Sequence, residues 1–346
     1  YNDSDNWEDI MQILDKKGGL LLQASAGNGK TYVAKQIAKK LMDAGHGVKI
    51  IAPTNKAGLN IGGCTIHKFL RIDKNGCISS KFLKIVKEQF QYIIIDEISM
   101  IGKELWKRIN LLKINSNIKF LLLGDEKQCP PVENEDIEDY FNHPAVKSIC
   151  NYNRNILDVR KRYDENLYNI LEDVNNIKID YIKEPLTERN ICYFNKTRKR
   201  INKYWNDKKK NDNALFIPAD EENDKTQDMY IYEGLPVIAM KTKHDGDEVI
   251  FANSETFNVK EINIDYISLY NERPDEKGEK KKYIYDCPVE EFRDYFVLNY
   301  CSTTHKSQGE TITEEYTIYD WDFMTTKIKY TALSRARKYE NVYFGM

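Results

Sequence analysis

Residues 24–31 read ASAGNGKT, and residues 92–97 read YIIIDE. In the first stretch small residues lead to Lys30 and Thr31, between an apolar run, GLLLQAS (19–25), and a helical pattern in which Val33, Ile37 and Leu41 recur every fourth residue. Such a loop lets successive backbone N–H groups curl around phosphate oxygens at the positive end of a helix, with an ammonium and a hydroxyl close by. The second stretch ends an apolar strand on two adjacent carboxylates, Asp96 and Glu97, an arrangement that is costly unless a cation or a water chain uses them. Ala26, Gly27, Asn28, Gly29, Lys30 and Thr31 are therefore expected to cradle a nucleoside triphosphate. Lys30 would reach its β- and γ-phosphates, Thr31 and Asp96 would hold Mg2+, and Glu97 would orient and deprotonate the attacking water. The full glycine-rich pattern has Gly at position 24, where this chain has Ala. That methyl is tolerable if the backbone keeps φ negative there, because Gly27 and Gly29 remain where the chain must approach its ligand.

These residues need a scaffold. GLLLQAS, VKIIAP (48–53), YIIIDE (92–97) and KFLLLGD (119–125) are apolar on both faces and suit a central parallel sheet covered by helices. LRIDKNGCIS (70–79) carries Asn75–Gly76 between strand-like segments, a hairpin signal. Residues 133–156 lack a strong apolar period and are expected to cross to a second α/β set, containing NICYFN (190–195), YFVLNYC (295–301), YTIYD (316–320) and NVYF (341–344). From 230 to 294 apolar and polar residues alternate with turn signals between, as in a small antiparallel β-barrel. The expected domains are a first lobe of residues 1–68 and 92–150 that binds the nucleotide, a hairpin insertion at 69–91, a second lobe of 151–229 and 295–346, and a β insertion at 230–294. No internal repeat of fixed period is visible, and the charged runs near 206–213 and 271–282 read as solvated loops.

With 346 residues, 41% of them hydrophobic, the chain can bury at least two cores. A net charge of -2 gives no global basic field, so contacts with nucleic acid must come from local clusters. The seven cysteines show no CxxC or Cys/His spacing, which points to reduced thiols and an intracellular, reducing compartment: the cytoplasm, the nucleus or a viral replication compartment. No apolar run has the length of a membrane span. The polar start, with Tyr1 in place of Met, reads as the edge of a piece cut from a longer protein.

Six further stretches occur in a telling order: IIAPTNKAGLNI with TIHKFL, then LLLGDEKQCPPV, LDVRKRYD, STTHKSQGETI and YTALSRARKYENVYF. Over almost its whole length the chain resembles superfamily 1 helicases. The Pro-Pro after Gln128, with THKSQG and ALSRAR, is most similar to their 5′-to-3′ RecD/Dda/Pif-like branch. The resemblance implies an α/β protein of two RecA-like parallel-sheet lobes, a small hairpin insertion placed like a pin in the first, and an SH3-like β-barrel insertion in the second. It implies ATP as the nucleotide, Mg2+ as the metal, and single-stranded or tailed duplex DNA as the partner, in replication, recombination or repair. Replication proteins or flanking domains of a longer chain are further expected partners, no membrane is expected, and this fragment is expected to be a monomer. Gln128 would sense the γ-phosphate or its attacking water, and Arg162 and Arg335 would place guanidinium groups on the γ-phosphate. Pro53, Thr54, Asn55, His67, Thr304, His305, Lys306 and Ser307 would touch sugar-phosphate oxygens, positioning a strand without reading it. The pin apex, DKNG, lacks an aromatic, so a short structural turn is an equal reading of it, and Gln12 matches the adenine-selecting glutamine motif poorly. Two alternatives stay open: a superfamily 1 RNA helicase, and a non-motor P-loop subunit that binds nucleic acid.

Overall fold

The computed structural model describes residues 5–71, 77–130, 140–158, 164–246, 248–274 and 280–346. The chain divides into two compact units, Tyr1–Tyr163 and Asp164–Met346. The first runs Trp7–Lys17 (α1), Gly19–Ala24 (β1), Lys30–Asp43 (α2), Val48–Ala52 (β2), Asn55–Ile61 (α3), Cys64–Thr65 (β3), Ile66–Leu70 (α4), Ser80–Gln89 (α5), Tyr92–Ile95 (β4), Lys103–Lys113 (α6), Lys119–Gly124 (β5), Pro144–Ile149 (α7) and Arg154–Leu157 (β6). Among the described residues its strands form one six-stranded sheet, ordered β3-β2-β4-β5-β1-β6, with every pair parallel.

Successive residues of a strand point to opposite faces, and here both faces are covered. Leu20 and Leu22 pack into a core with Val33, Ile37 and Leu41 of α2, while Leu21 packs on the other side with Trp106 and Ile109 of α6. On β4, Ile94 joins the first core, and Ile93 and Ile95 the second. Fully burying each such side chain contributes about 1.5–3 kcal/mol, so the middle strands are the rigid floor on which the loops at their C-terminal ends rest.

The second unit runs Glu165–Glu172 (α8), Tyr181–Ile182 (β7), Arg189–Cys192 (β8), Asn195–Lys209 (α9), Leu215–Ile217 (β9), Met229–Ile231 (β10), Pro236–Ala239 (β11), Lys243–Asp245 (β12), Glu248–Phe251 (β13), Thr256–Ile262 (β14), Tyr266–Pro274 (β15), Lys280–Pro288 (β16), Phe292–Tyr295 (α10), Phe296–Leu298 (β17), Cys301–Thr303 (β18), Thr304–Ser307 (α11), Tyr316–Tyr319 (β19), Thr326–Leu333 (α12) and Val342–Gly345 (β20). One five-stranded sheet is parallel, ordered β18-β8-β19-β20-β7. Another is antiparallel, ordered β16-β15-β14-β11-β17, and all but β17 falls within 230–294, where the alternating pattern predicts short antiparallel strands.

Three expected boundaries move. Residues 154–157, expected in the second lobe, form β6 and pair with β1 in the first sheet. As an edge strand carrying Arg154 and Asn155, it has no apolar run to announce it. YFVLNYC, read as one strand of the second lobe, is two: β17 pairs with β11 of the antiparallel sheet, and β18 joins the parallel one. The switch is at Asn299, whose N–H donates to Pro236 O (2.9 Å) and whose Oδ1 accepts from Arg189 Nη1 (3.2 Å). In the expected insertion at 69–91, α5 is a helix whose own Phe82 and Leu83 pack on the core of the first unit. The Asn75–Gly76 apex lies outside the described residues.

Among the described residues no helix is long and apolar enough to cross a membrane, and all seven cysteines are free thiols.

Candidate functional site

In the first unit β4, β5 and β1 are neighbours in the sheet, so the loops that leave their C-terminal ends emerge side by side. Those loops hold Asp96–Glu97, Asp125–Gln128 and Ser25–Gly29. The C-terminal edge of a parallel sheet is where α/β folds place their ligands. Ala24 is the last residue of β1, paired with Leu157 and buried, and it is not among the residues with positive φ. Its methyl therefore carries no backbone strain. Gly27 and Gly29 do take left-handed backbone, at φ 85° and 87°, and α2 begins immediately after at Lys30. Asn28 is buried, with its side-chain amide donating to Leu157 O (3.1 Å), which ties the loop to the end of β6.

Lys30 folds back over this loop, donating from Nζ to Ala24 O (2.6 Å) and Ser25 O (3.2 Å). Carbonyl oxygens are the acceptors that phosphate oxygens would replace, so the ammonium is already held over the cradle. Thr31 stands half-buried in the first turn of the same helix. The Asp96 carboxyl is pushed up to about 7, chiefly by burial and then by the neighbouring Glu97 charge; the Glu97 N–H and the Lys30 and Lys35 ammonium groups pull the other way. At 5% exposure, a carboxylate whose ionised form lacks enough positive company fits a divalent cation, which would supply the missing charge. Glu97 follows at φ 51°, a left-handed conformation that costs a non-glycine residue roughly 1–2 kcal/mol. Strain of that kind concentrates where a side chain must point in one direction. Asp125, also buried, accepts from Lys127 N (3.0 Å) and from the Gln128 side-chain amide (3.2 Å), so the glutamine is held by the strand that lies between β1 and β4.

The expected strand-contact residues divide. In the first unit Pro53, Thr54 and Asn55 leave the C-terminal end of β2, and His67 leaves the end of β3, its neighbour in the sheet. Thr54 caps α3, its hydroxyl accepting from Ala57 N (3.2 Å), and His67 is exposed. In the second unit His305 and Lys306 are half-buried at the end of β18. Thr304 and Ser307 are 0% exposed. The Thr304 hydroxyl donates to Cys192 O of β8 (3.3 Å) and ties α11 to the sheet, while the Ser307 hydroxyl donates back to Thr304 O within α11 (2.8 Å), so neither side chain is offered at the surface as expected. Arg335 is 3% exposed. Its guanidinium donates to Thr331 O (2.9 Å), Ser334 Oγ (2.9 Å) and Glu310 O (3.3 Å), which leaves part of its five-donor fork for another acceptor. Arg162 lies outside the described residues.

One group was missed. The Asp320 carboxylate, at the end of β19, accepts from the N–H groups of Tyr193 (3.1 Å) and Phe194 (3.0 Å) and from the Thr197 hydroxyl (2.8 Å), fixing the turn that leads from β8 into α9. The signal for it was an echo: YIIID (92–96) and YTIYD (316–320) share a tyrosine, an isoleucine and the closing aspartate at the same spacing.

Residues 6–147 match the family model for the AAA domain. Among curated proteins, the ATP-dependent DNA helicase Pif1 of Campylobacter jejuni is 30% identical over 140 residues, 36% of this chain and 31% of that protein. The ATP-dependent RecD2 DNA helicase of Deinococcus radiodurans is 28% identical over 135 residues, 36% of this chain and 18% of that protein. These alignments span about a third or less of the relatives' own length. The crystal structure of Bacteroides Pif1 bound to single-stranded DNA superposes with a TM-score of 0.68 at 19% identity, over 99% of this chain and 91% of that one. In sequence its first unit is thus similar to Pif1 and RecD2 helicases, and in fold the chain is similar along its length to Pif1 structures.

Proposed function

We propose that this chain is the motor core of an ATP-driven DNA helicase that tracks single-stranded DNA from 5′ to 3′. The observation that carries the reading is the meeting of Lys30, Thr31, Asp96 and Glu97 at one sheet edge, in a fold shared with a Pif1 helicase over 99% of the chain. Lys30 exchanges its loop carbonyls for the β- and γ-phosphates of ATP. Thr31 and Asp96 are the residues that would hold Mg2+, which supplies charge neutralisation at the phosphates when bound. Glu97 orients the attacking water and takes its proton, and Gln128 reports the state of the γ-phosphate to the strand-holding side. Arg335, with Arg162, would stabilise charge on the transferring phosphoryl group.

Asn55, His67, His305 and Lys306 are proposed contacts to the sugar-phosphate backbone, with Pro53 and Thr54 shaping the turn that offers Asn55. Contacts of this class grip any sequence, and the affinity they supply falls steeply with salt. The test is strand displacement on duplexes with a 5′ or a 3′ single-stranded tail, with ATP and with a non-hydrolysable analogue. Unwinding of the 5′-tailed substrate alone, only with ATP, is expected. Unwinding of the 3′-tailed substrate would reverse the polarity, and ATPase stimulation by RNA but not DNA would move the chain to the RNA branch.

A further inference from the structure

Phe194 and Phe323 are 42% and 68% exposed, yet their ring centroids are only 5.5 Å apart, at 62°. Tyr193 extends the group, 4.8 Å from Phe194. Single exposed aromatics are ordinary on a protein surface, and another aromatic pair here, exposed Phe216 with half-buried Tyr230, is simply a directly opposed pair on β9 and β10. No strand pairing brings Phe194 and Phe323 together. Phe194 sits between β8 and α9, and Phe323 on a short 3-10 turn after β19.

One residue fixes both. The Asp320 carboxylate receives the N–H groups of Tyr193 and Phe194, and its own carbonyl receives the N–H of Phe323 (3.0 Å). Asp320 adopts φ 62°, a left-handed conformation that aspartate tolerates better than most residues. Trp321 is buried beneath the turn against Phe344 (4.9 Å), so Phe323 stands on a packed base.

The surroundings favour an anionic polymer with flat groups along it. Asn195 and Lys196 follow Phe194 and are exposed. Arg198 Nε donates to Asn195 Oδ1 (3.2 Å), which turns the amide NH2 of Asn195 outward as a donor. His305 and Lys306 leave β18, the strand beside β8. The nearby exposed acid, Asp322, accepts from the Tyr181 hydroxyl (2.8 Å).

We propose that Phe194 and Phe323 form a base-stacking shelf for single-stranded DNA in the second unit, set by Asp320, with Asn195 and Lys196 on the adjoining phosphate. This rests on the strand-binding reading above. Stacking on an aromatic ring tolerates every base, so it adds grip without sequence preference.

The test is fluorescence-anisotropy binding of the whole chain to a base-bearing oligonucleotide and to an abasic one of equal length, for the parent, Phe194→Ala/Phe323→Ala and Phe194→Trp. Both rings are exposed, so the substitutions leave the core intact. The double variant should lose about tenfold to a hundredfold in affinity for the base-bearing strand, keep its affinity for the abasic one, and retain its salt slope. The Phe194→Trp emission should be quenched by the base-bearing strand only. Equal loss on both strands, no loss, or unquenched emission overturns the shelf, as does sedimentation showing that the rings instead join two copies of the chain. A parent that binds both strands with the expected contrast but hydrolyses no ATP sinks the motor reading and supports the shelf; a parent that binds neither strand sinks both.

Discussion

In the first unit β4 (Tyr92–Ile95) is followed by Asp96, and in the second β19 (Tyr316–Tyr319) is followed by Asp320, each strand flanked by parallel neighbours and each with a 3-10 turn close behind, Ile98–Met100 and Trp321–Phe323. The likeness extends to the edge of each sheet. Ala52 pairs with Thr65 and is followed by Pro-Thr-Asn-Lys; Cys192 pairs with Thr303 and is followed by Tyr-Phe-Asn-Lys. Thr65 then opens T-I-H-K, and Thr303 opens T-T-H-K. What differs is the use of the aspartate. Asp96 is buried beside the Glu97 charge with little to compensate its own; Asp320 is engaged by three donors and holds a turn that carries aromatic rings. One strand-end position thus carries a buried, poorly compensated carboxylate in the first unit and a backbone-positioning one in the second.

That division can be broken first at Lys30. Lys30→Ala should abolish ATP hydrolysis, because the β/γ-phosphate contact is lost, while strand binding at low salt persists. Steady-state ATPase and anisotropy measure the two sides, and full turnover by the variant would refute the nucleotide site. Arg335→Ala tests whether the second unit takes part in the chemistry. A guanidinium acting on the transferring phosphoryl is worth about a thousandfold or more in turnover, with binding of DNA spared. Loss of DNA binding alone would give Arg335 to the strand side, and a circular-dichroism melt separates either result from the loss of its bonds to Thr331, Ser334 and Glu310. Glu97→Gln should bind ATP and Mg2+ as the parent does and turn over about a hundredfold more slowly, read in a single-turnover assay.

The parts of the candidate nucleotide site could be picked out of the sequence because they are contiguous: one loop, one strand end and one turn each carry their residues within a few positions. The bracket of the second unit was hidden because Asp320 and Phe194 are 126 residues apart, with the antiparallel sheet between them. The same insertion disguises the echo of the two units, since Asn55 and His67 are near in sequence whereas Asn195 and His305 are separated by the whole β region; no fixed period results. Thr304 and Ser307 were assigned to the strand by motif, but their i, i+3 spacing on a short helix puts both on its buried face. β6 escaped because an edge strand with Arg154 and Asn155 needs no apolar run, and YFVLNYC read as one strand because apolar texture does not reveal that Asn299 turns the chain from one sheet to the other.

The two aspartates should respond to the same substitution with opposite signs. The Asp96 carboxyl titrates near 7 in the folded chain against an ordinary 3.8. Between those values the folded chain holds a proton that the unfolded chain has released, so stability without nucleotide falls as pH rises through that window and stays reduced above it. Asp96→Asn has no such charge to bury. It should melt with the parent near pH 4 and above it at pH 8, by an increment of at most a few kcal/mol, and that advantage should shrink or reverse once Mg2+ and nucleotide are added. Asp320→Asn should instead lose about 1–3 kcal/mol at pH 8, because an amide oxygen cannot replace a carboxylate that receives two N–H groups on one oxygen and a hydroxyl on the other. Thermal melts of the three proteins at both pH values decide it. If Asp320→Asn melts with its parent, the turn is held by its own packing and the carboxylate is not the bracket. If Asp96→Asn gains nothing at pH 8, the charge at the end of β4 is already compensated, and the strongest physical argument for a cation there is lost.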